Sequence, residues 1–375
     1  MALNDSEILI DQHSERHEGV WSDAETDEPA GPDWRVKREP ASRAAMRVCD
    51  GILDAVGGTP LVRLRRYIPE NRFQLFAKLE SLNPAGSIKD RPALNILEHA
   101  MRSGAVGLGT VVIESSSGNM GIGLAQACRF YGLRFICVVD PKTTEANLRV
   151  LRAYGAEIDL VAEPDRESGE FLQARLKRVQ ELASSLDSAF WPNQYENSQN
   201  SDAHYHNTMH EVSVALDGKI DFLFVPTSTC GTLRGCCEYV RDHGMATQVI
   251  AVDAFGSLIF STVQAKRIVP GLGAGLRPPL CDLSLLDDYV HVNDLDCVVG
   301  CRRLMEREAI LAGGSSGGVL SAVEAFGDRI PTGAVVVAIL PDRGERYLET
   351  LFSDDWVREN FGDIEALWER AGAPQ

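Results

Sequence analysis

The chain has 375 residues and a formal net charge of −17 at pH 7, with 37 basic and 54 acidic side chains. This length allows two domains and a large hydrophobic core. The acidic balance argues against nucleic acid as a partner. A membrane span needs about 18 consecutive apolar residues, and no such run occurs. Nine scattered cysteines without a Cys-x-x-Cys pair, and no signal peptide, predict a cytoplasmic protein with reduced thiols.

Residues 1–48 differ in composition from the rest of the chain. They are acidic through Glu28 and basic from Arg35, with prolines at positions 29, 32 and 40. Such a segment buries too little apolar surface to fold alone, so we expect a mobile N-terminal extension. The turn Gly57-Gly-Thr-Pro60 then opens the folded part.

Lys89 stands between a predicted strand and a predicted helix. Residues 73–80 alternate apolar and polar side chains, whereas Leu94, Leu97 and Met101 are spaced for one buried helix face. The turn Asn83-Pro-Ala-Gly-Ser-Ile-Lys89 therefore brings a cation to the first turn of a helix, against the helix dipole. Local rules broken in this way often mark function, such as imine formation. For this lysine alone, a surface side chain is the simpler interpretation.

Three further loops have a related form, in which small residues connect an apolar strand to a helix. They are residues 115–121 after the strand 110–114, residues 227–233 after the strand 221–226, and residues 310–318. Small residues let backbone N–H groups approach an anion at a helix N-terminus. Neither a P-loop nor a Gly-x-Gly-x-x-Gly pattern occurs, which argues against a nucleotide. Together with Lys89, the loops fit pyridoxal phosphate, which needs an amine, a phosphate cradle and a partner for its ring nitrogen.

These residues resemble the fold-type II pyridoxal phosphate enzymes of the cysteine synthase and cystathionine β-synthase group. The resemblance runs from about Leu53 to about Trp356. It implies that Lys89 forms the Schiff base, that Asn119 bonds the ring hydroxyl oxygen, and that Ser315 faces the ring nitrogen. It also implies a phosphate site at Ser228, Thr229, Cys230, Gly231 and Thr232, and a substrate carboxylate site at Ser116, Ser117, Asn119 and Gln194.

The resemblance further implies an α/β architecture like that of the tryptophan synthase β subunit, with the cofactor in a cleft between two parallel-sheet domains. The expected parts are a large domain (49–82 and 189–360), a small mobile domain (83–188) and a C-terminal tail (361–375). Strands predicted near Val111, Phe135, Ile158, Phe222, Val249 and Val335 alternate with helices, as parallel sheets require. A homodimer is the oligomer that the family implies.

A serine at the ring nitrogen has a mechanistic meaning in this family. A hydroxyl supports the neutral ring, which suits rapid loss of a β-substituent better than transamination. The implied course is imine exchange, removal of the Cα proton by Lys89, loss of the β-substituent, and addition of a nucleophile at the β-carbon.

Within the family, several stretches resemble the members that join O-phospho-L-serine to L-glutamate, among them residues 83–93, 137–142 and 339–344. That reaction opens L-2,3-diaminopropionate biosynthesis for siderophores or peptide antibiotics, and an NAD-dependent dehydrogenase follows it. Ser228 stands where cysteine synthases usually carry glycine, and Met120 where they carry threonine. The resemblance implies that Arg175, Tyr195 and Ser228 recognise the substrate phosphate. For Arg175, a solvated position opposite the apolar stripe of its helix stays equally open.

Two other functions stay open at this point. The first is a cysteine synthase, using O-acetylserine or O-phosphoserine with sulfide, or a cystathionine β-synthase. The second is a catalytically silent protein of the same fold that binds a partner, against which intact Lys89, Asn119 and Ser315 argue. His204, His206 and His210 have a spacing that could suggest a metal, but they match an ordinary family segment. We interpret them as structural and expect no metal.

Overall fold

The computed structural model describes residues 48–68, 72–167 and 169–368. The pattern of contacts divides the chain into two units, with the boundary between Val48 and Cys49. The fold described below is that of the unit that begins at Cys49. The predicted extension lies outside the described residues apart from Val48. Part of the predicted C-terminal tail packs on the fold, because Trp368 is buried in the largest hydrophobic cluster. Within the described ranges, no helix is long and apolar enough to cross a membrane.

The strands and helices alternate along most of the chain. In chain order the strands are β1 Leu61–Arg63, β2 Gln74–Leu79, β3 Val111–Ser115, β4 Arg134–Val139, β5 Glu157–Leu160, β6 Ala189–Phe190, β7 Phe222–Pro226, β8 Gln248–Ala254, β9 Asp288–Val292 and β10 Val335–Leu340. The α-helices are α1 Asp90–Arg102, α2 Asn119–Tyr131, α3 Glu145–Ala153, α4 Phe171–Ser185, α5 Ser198–Ala203, α6 His210–Ala215, α7 Gly231–Asp242, α8 Asp294–Glu308, α9 Gly314–Ala325 and α10 Asp354–Phe361.

The strands form two sheets. The larger has the order β1-β2-β10-β7-β8-β9, and only the pairing of β1 with β2 is antiparallel. The smaller has the order β5-β4-β3-β6 and is parallel throughout. Helices cover these sheets, so strands such as β3 and β10 are buried, and β10 reads as a continuous apolar run. The predicted α/β class with parallel sheets is confirmed.

The smaller sheet occupies a continuous part of the chain, from Val111 to Phe190. It therefore ends two residues beyond the predicted domain boundary at position 188. The larger sheet takes β1 and β2 from before this part and its other strands from after it, as the predicted division requires. Movement of the smaller part against the larger stays a prediction.

Most of the predicted elements form as expected, with two differences. Residues 310–313 do not make a strand, because only five residues connect α8 to α9; instead Ala312 forms an isolated bridge with Arg343. On α1, Met101 is exposed and Ile96 is buried, so the buried face is turned from the predicted one. The other residues buried on this helix include Ala93, Leu97 and Ala100.

A cluster of buried charges holds α1 against the larger sheet. The Arg91 guanidinium donates to Glu80 Oε2 at 2.6 Å and to Glu211 Oε1 at 2.6 Å. Lys78 Nζ, in β2, donates to Glu211 Oε2 at 2.5 Å. Glu80 is fully buried and Arg91 is 3% exposed. Because Arg91 lies two residues after Lys89, this cluster fixes the position from which α1 begins.

We expect Arg91→Met to lower the free energy of unfolding by about 3–5 kcal/mol, because it leaves buried carboxylates without their main partner. Chemical unfolding measures the change. Arg149→Met is the control, since Arg149 is 76% exposed and its one ion pair within the described residues is with Glu145, one turn earlier, so its loss should cost at most about 0.5 kcal/mol. Equal effects of the two substitutions would contradict a structural role for the buried cluster.

Candidate active site

A cavity lies where several strands end and the helices after them begin. Its lining includes residues that follow the carboxyl ends of β3, β7 and β10, the usual place for ligands in parallel sheets. Lys89 precedes α1, Asn119 starts α2, Thr232 lies in the first turn of α7, and Ser315 lies in the first turn of α9. Four helix N-termini thus meet at one cavity, and their unpaired N–H groups favour anions.

Lys89 lies at the wall of this cavity, at the N-cap of α1 rather than within its first turn. Removal from water lowers the pKa of Lys89 to about 8, although the nearby charge of Asp342 raises it. A Cβ atom on Gly123 would lie 3.1 Å from the Lys89 carbonyl oxygen, so α2 packs directly on the backbone here. Near neutral pH this amine is partly uncharged, which a nucleophile or a general base requires.

The loop from Ser228 to Thr232 has a backbone shape that depends on one glycine. Cys230 adopts the left-handed region with φ +64°, which turns the chain into α7. A Cβ atom on Gly231 would lie 2.2 Å from Asn200 Oδ1, so no larger residue fits. Ser228, Thr229 and Thr232 line the cavity, as predicted.

Neither Cys230 nor Gly231 is among the residues that line the cavity. Cys230 packs in an apolar cluster with Ile259, Ala274 and Leu280. These two residues could therefore serve a phosphate through their backbone N–H groups only.

A second loop, which the sequence analysis missed, completes this side of the cavity. Gly271 lines the cavity with φ +105°, and a Cβ atom there would lie 3.2 Å from Ser315 Oγ. The Ser228 hydroxyl donates to the Gly273 carbonyl oxygen at 3.2 Å. The glycines at positions 271, 273 and 275 were the available signal. Ser315 itself is 2% exposed and lines the cavity, as predicted.

The loop after β3 provides polar groups on the opposite side. Ser116 Oγ accepts from the Gly121 N–H at 2.9 Å, which closes the loop onto the start of α2. Gln194 Nε2 donates to the Ser115 carbonyl oxygen at 3.2 Å. The cavity wall contains all five residues predicted on this side: Ser116, Ser117, Asn119, Met120 and Gln194.

Arg175 enters the cavity wall from α4. Its side chain is buried, so the solvated position that the sequence left open is wrong. Arg175 Nε lies 3.2 Å from Asp140 Oδ2, but neither Nε nor Nη1 has a hydrogen-bond partner among the described residues. Tyr195 also lines the cavity, and its removal from water raises its pKa, so that the hydroxyl stays a donor at neutral pH.

Asn119 is held by two residues whose roles the sequence analysis did not assign. Its Nδ2 donates to Asp342 Oδ2 at 2.8 Å, and its Oδ1 accepts from the Arg346 guanidinium. Both partners follow β10. The stretch Ile339-Leu-Pro-Asp-Arg-Gly is one of those that resemble the family, but its sequence does not predict a contact with Asn119.

Of the three clustered histidines, His204 is buried, whereas His206 and His210 are exposed. His204 Nε2 lies 3.2 Å from Thr232 Oγ1 and its Nδ1 lies 2.9 Å from Thr208 Oγ1. Burial lowers the pKa of His204 well below its ordinary value, so the ring is neutral. Within the described ranges, no group of His, Cys, Asp and Glu side chains could hold a metal.

The donor set fits pyridoxal phosphate. Lys89 offers an amine for the aldehyde, and Ser228, Thr229 and Thr232 offer hydroxyl groups at the start of α7 for the phosphate. Ser315 offers a hydroxyl and Asn119 an amide at the same cavity. Which of these groups contacts which part of the cofactor stays a prediction.

A buried carboxyl supports the substrate side of the cavity. Glu114 accepts from the Trp191 indole at 3.2 Å and from the Gln194 N–H at 3.2 Å. Burial raises the pKa of Glu114 from 4.5 to about 7, against hydrogen bonds that lower it. Between these values the unfolded chain loses a proton that the folded chain keeps. Stability therefore falls as the pH rises through this window and levels off above about pH 7.

We expect the stability difference between wild type and Glu114→Gln to change by up to about 1.4 kcal/mol per pH unit in that window. The stability of the variant should rise relative to that of the wild type as the pH rises, because its amide does not ionise. Urea unfolding at a series of pH values measures this difference. Glu157→Gln, at an exposed ion pair with Arg134, is the control. A difference independent of pH would contradict the raised pKa of Glu114.

The comparisons with known proteins agree with this site. The model of the family "Pyridoxal-phosphate dependent enzyme" matches residues 52–342. N-(2-amino-2-carboxyethyl)-L-glutamate synthase of Ralstonia nicotianae is 46% identical over 310 residues, which cover 83% of this chain and 91% of that protein.

Two solved structures have the same fold over most of their length. O-ureido-L-serine synthase matches with a TM-score of 0.76 and 31% identity, covering 82% of this chain and 98% of that one. An O-acetylserine dependent cystathionine β-synthase from Helicobacter pylori matches with a TM-score of 0.76 and 28% identity, covering 81% and 99%. The chain therefore belongs to the pyridoxal-phosphate dependent enzymes, in the fold-type II branch that includes the cysteine synthases, and its cofactor is pyridoxal 5'-phosphate.

Proposed function

We propose that this enzyme joins O-phospho-L-serine and L-glutamate to give N-(2-amino-2-carboxyethyl)-L-glutamate and inorganic phosphate. The bond from the serine β-carbon to the phosphate oxygen breaks, and a bond from the same carbon to the glutamate nitrogen forms. The nitrogen releases one proton. The name of the Ralstonia nicotianae relative, which shares 46% of its residues with this chain, supports the product.

The observation that carries the choice of phosphoserine is the state of Arg175. This guanidinium is buried at the cavity wall, and its Nη1 has no hydrogen-bond partner within the described residues. Asp140 Oδ2 lies 3.2 Å from Arg175 Nε, but a buried donor without an acceptor is costly, so Nη1 needs a further partner such as an anion. The Ser228 hydroxyl and the Tyr195 phenol line the same cavity. A phosphate dianion would take charge-assisted hydrogen bonds from Arg175 and Tyr195, and from Ser228 when its hydroxyl turns away from the Gly273 carbonyl oxygen.

The cofactor, when bound, withdraws electrons from the α-carbon of an amino acid joined to its aldehyde. The protein's own groups then do the rest. Lys89, with a pKa of about 8, takes the proton from the α-carbon. Ser116, Ser117 and Gln194 orient the α-carboxylate, and Arg175 holds the leaving phosphate. Met120 is 2% exposed and gives the cavity an apolar wall against which the glutamate would lie.

The main alternative is a sulfur-using enzyme of the same family, because the Helicobacter pylori structure is an O-acetylserine dependent cystathionine β-synthase. Product masses distinguish the functions. We expect the glutamate adduct from phosphoserine plus glutamate, and little cysteine from acetylserine plus sulfide. Homocysteine in place of sulfide tests for cystathionine. Efficient cysteine or cystathionine formation without the adduct would replace our proposal.

The surroundings of the reaction follow from the family resemblance. We propose that the enzyme is a cytoplasmic homodimer whose product passes to an NAD-dependent dehydrogenase, which releases L-2,3-diaminopropionate for a siderophore or a peptide antibiotic. We also propose that the part containing the smaller sheet closes on the cavity when a substrate carboxylate binds at the start of α2.

Lys89 should carry the cofactor. We expect Lys89→Ala to lose the visible absorption of the lysine-bound cofactor and all turnover, because the substitution removes both the anchor and the base. Absorption spectra and borohydride labelling followed by mass spectrometry measure this. Lys177→Ala, at an exposed lysine paired with Asp165, should leave both unchanged. A colourless wild type that cannot be reconstituted, or a label on another lysine, would show that the assignment is wrong.

Arg175 and Ser228 should select the phosphate. We expect Arg175→Leu and Ser228→Gly each to lower kcat/KM for phosphoserine roughly ten- to a hundredfold, since a charge-assisted hydrogen bond contributes about 1.5–3 kcal/mol. The kcat/KM for acetylserine should fall far less. Arg178→Leu is the matched control, because Arg178 lies on the same helix but bonds Asp159 and Glu181 away from the cavity. Equal losses with both substrates would remove the argument for phosphoserine.

A further inference from the structure

Asp342 is a buried carboxylate at the back of the cavity that the proposed reaction does not use. It is 1% exposed and follows Pro341, which lines the cavity. Its Oδ2 accepts from Asn119 Nδ2 at 2.8 Å and from the Tyr347 hydroxyl at 2.6 Å. Its Oδ1 has no hydrogen-bond partner among the described residues. A Cβ atom on Gly313 would lie 2.1 Å from Oδ1, so a glycine is required there for this carboxylate to fit.

The Asn119 amide is fixed in one orientation by its two partners. Arg346 can only donate, so it holds Oδ1, and an ionised Asp342 can only accept, so it holds one Nδ2 hydrogen. Exchange of the amide oxygen and nitrogen would break both contacts. The second Nδ2 hydrogen has no acceptor in the described part of the protein, and Asn119 lines the cavity. The arrangement therefore presents one N–H donor to whatever binds there.

The charges of Asp342 and Lys89 also act on each other. The charge of Asp342 raises the pKa of Lys89, and the charge of Lys89 lowers the pKa of Asp342. Burial raises the pKa of Asp342 above its ordinary value, although the hydrogen bonds from Tyr347 and Asn119 and the charge of Arg346 act against this and favour the ionised form. The other titratable groups that face this pair are Cys230, His204 and Cys301. Their own pKa values keep these three neutral near pH 7, so Asp342 and Arg346 supply the fixed charges.

We propose that Asp342 is a positioning residue of the active site, which with Arg346 locks the Asn119 amide for the cofactor and supplies the negative charge opposite Lys89. The inference rests on Lys89 as the anchor of the cofactor, and it does not depend on which substrates the enzyme uses. Asp342 acts through Asn119 and through its field at Lys89, without itself contacting the substrate. The same carboxylate thereby sets both the hydrogen bonding and the charge at the site of attachment.

The test is a pH titration of the visible absorption of the holoenzyme, without substrate. Asp342→Asn keeps the shape and an acceptor for Tyr347 but removes the charge. We expect its titration midpoint to fall by about one pH unit, because the positive form of the lysine nitrogen loses its counter-charge. Asp342→Ser is a second variant with the same expectation, should the first fail to fold. The cofactor-free protein offers a second measurement, the rate of Lys89 acetylation as a function of pH, followed by mass spectrometry. The midpoint of this pH profile should also be lower in the Asp342 variants than in the wild type.

Two controls separate charge from packing. Tyr347→Phe removes a hydrogen bond to Asp342 and leaves its charge, and Arg346→Met removes a positive charge. Neither should lower the midpoint. The proposal is overturned if the Asp342 variants titrate like the wild type, or if either control lowers the midpoint as much as they do. Since no substrate is present, such a result would leave the proposed reaction untouched.

Discussion

Removal of the Lys89 amine from water is the constraint on which the rest of the site depends. An ammonium group at a helix N-terminus is unfavourable both because of the helix dipole and because of burial. The fold places the starts of four helices around this amine, so the cavity is favourable for anions and unfavourable for a fixed cation. This single arrangement has two results. The Lys89 amine is partly uncharged near neutral pH, and the N–H groups beside it favour phosphate and carboxylate.

Close backbone approach makes the arrangement possible. Gly231 lies against Asn200, Gly123 against the Lys89 carbonyl, and Gly313 against Asp342, and a Cβ atom at any of these glycines would lie within 3.1 Å of its neighbour. Such contacts bring helix starts closer together than side chains would allow. The ion pairs of Arg91 with Glu80 and Glu211 also hold the start of α1 in place, from outside the cavity. Short contacts within the fold therefore position the site, and few of its side chains take part in the chemistry.

The sequence predicts residues that meet at one cavity, because each lies in a short loop with its own local pattern, whereas their roles toward the cofactor come from the family resemblance and stay predictions. Lys89, Asn119 and Ser315 all stand where small residues connect to a helix, and the cavity contains all three. The contact of Asn119 with Asp342 and Arg346 could not be predicted, since it joins residues far apart in the chain.

The position of Arg175 was undecided for a different physical reason. Helix periodicity separates a buried face from a face opposite to it, but it does not say whether the second face meets water. On α4 the apolar face packs on the smaller sheet, while Arg175 on another side meets Asp140 and the cavity. Only the packing of neighbouring elements shows that this helix has two buried sides.

The pairing of β2 with β10 has a consequence for how the chain folds during synthesis. Residues 74–79 lie beside residues 335–340, and β10 also separates β2 from β7. The larger sheet is therefore incomplete until almost the whole chain has left the ribosome. The smaller sheet, from residues 111–190, needs no later strand and has a complete set of partners much earlier. We expect a nascent chain in which the smaller sheet is folded while β2 waits with an open edge, and this edge is where a chaperone would be needed.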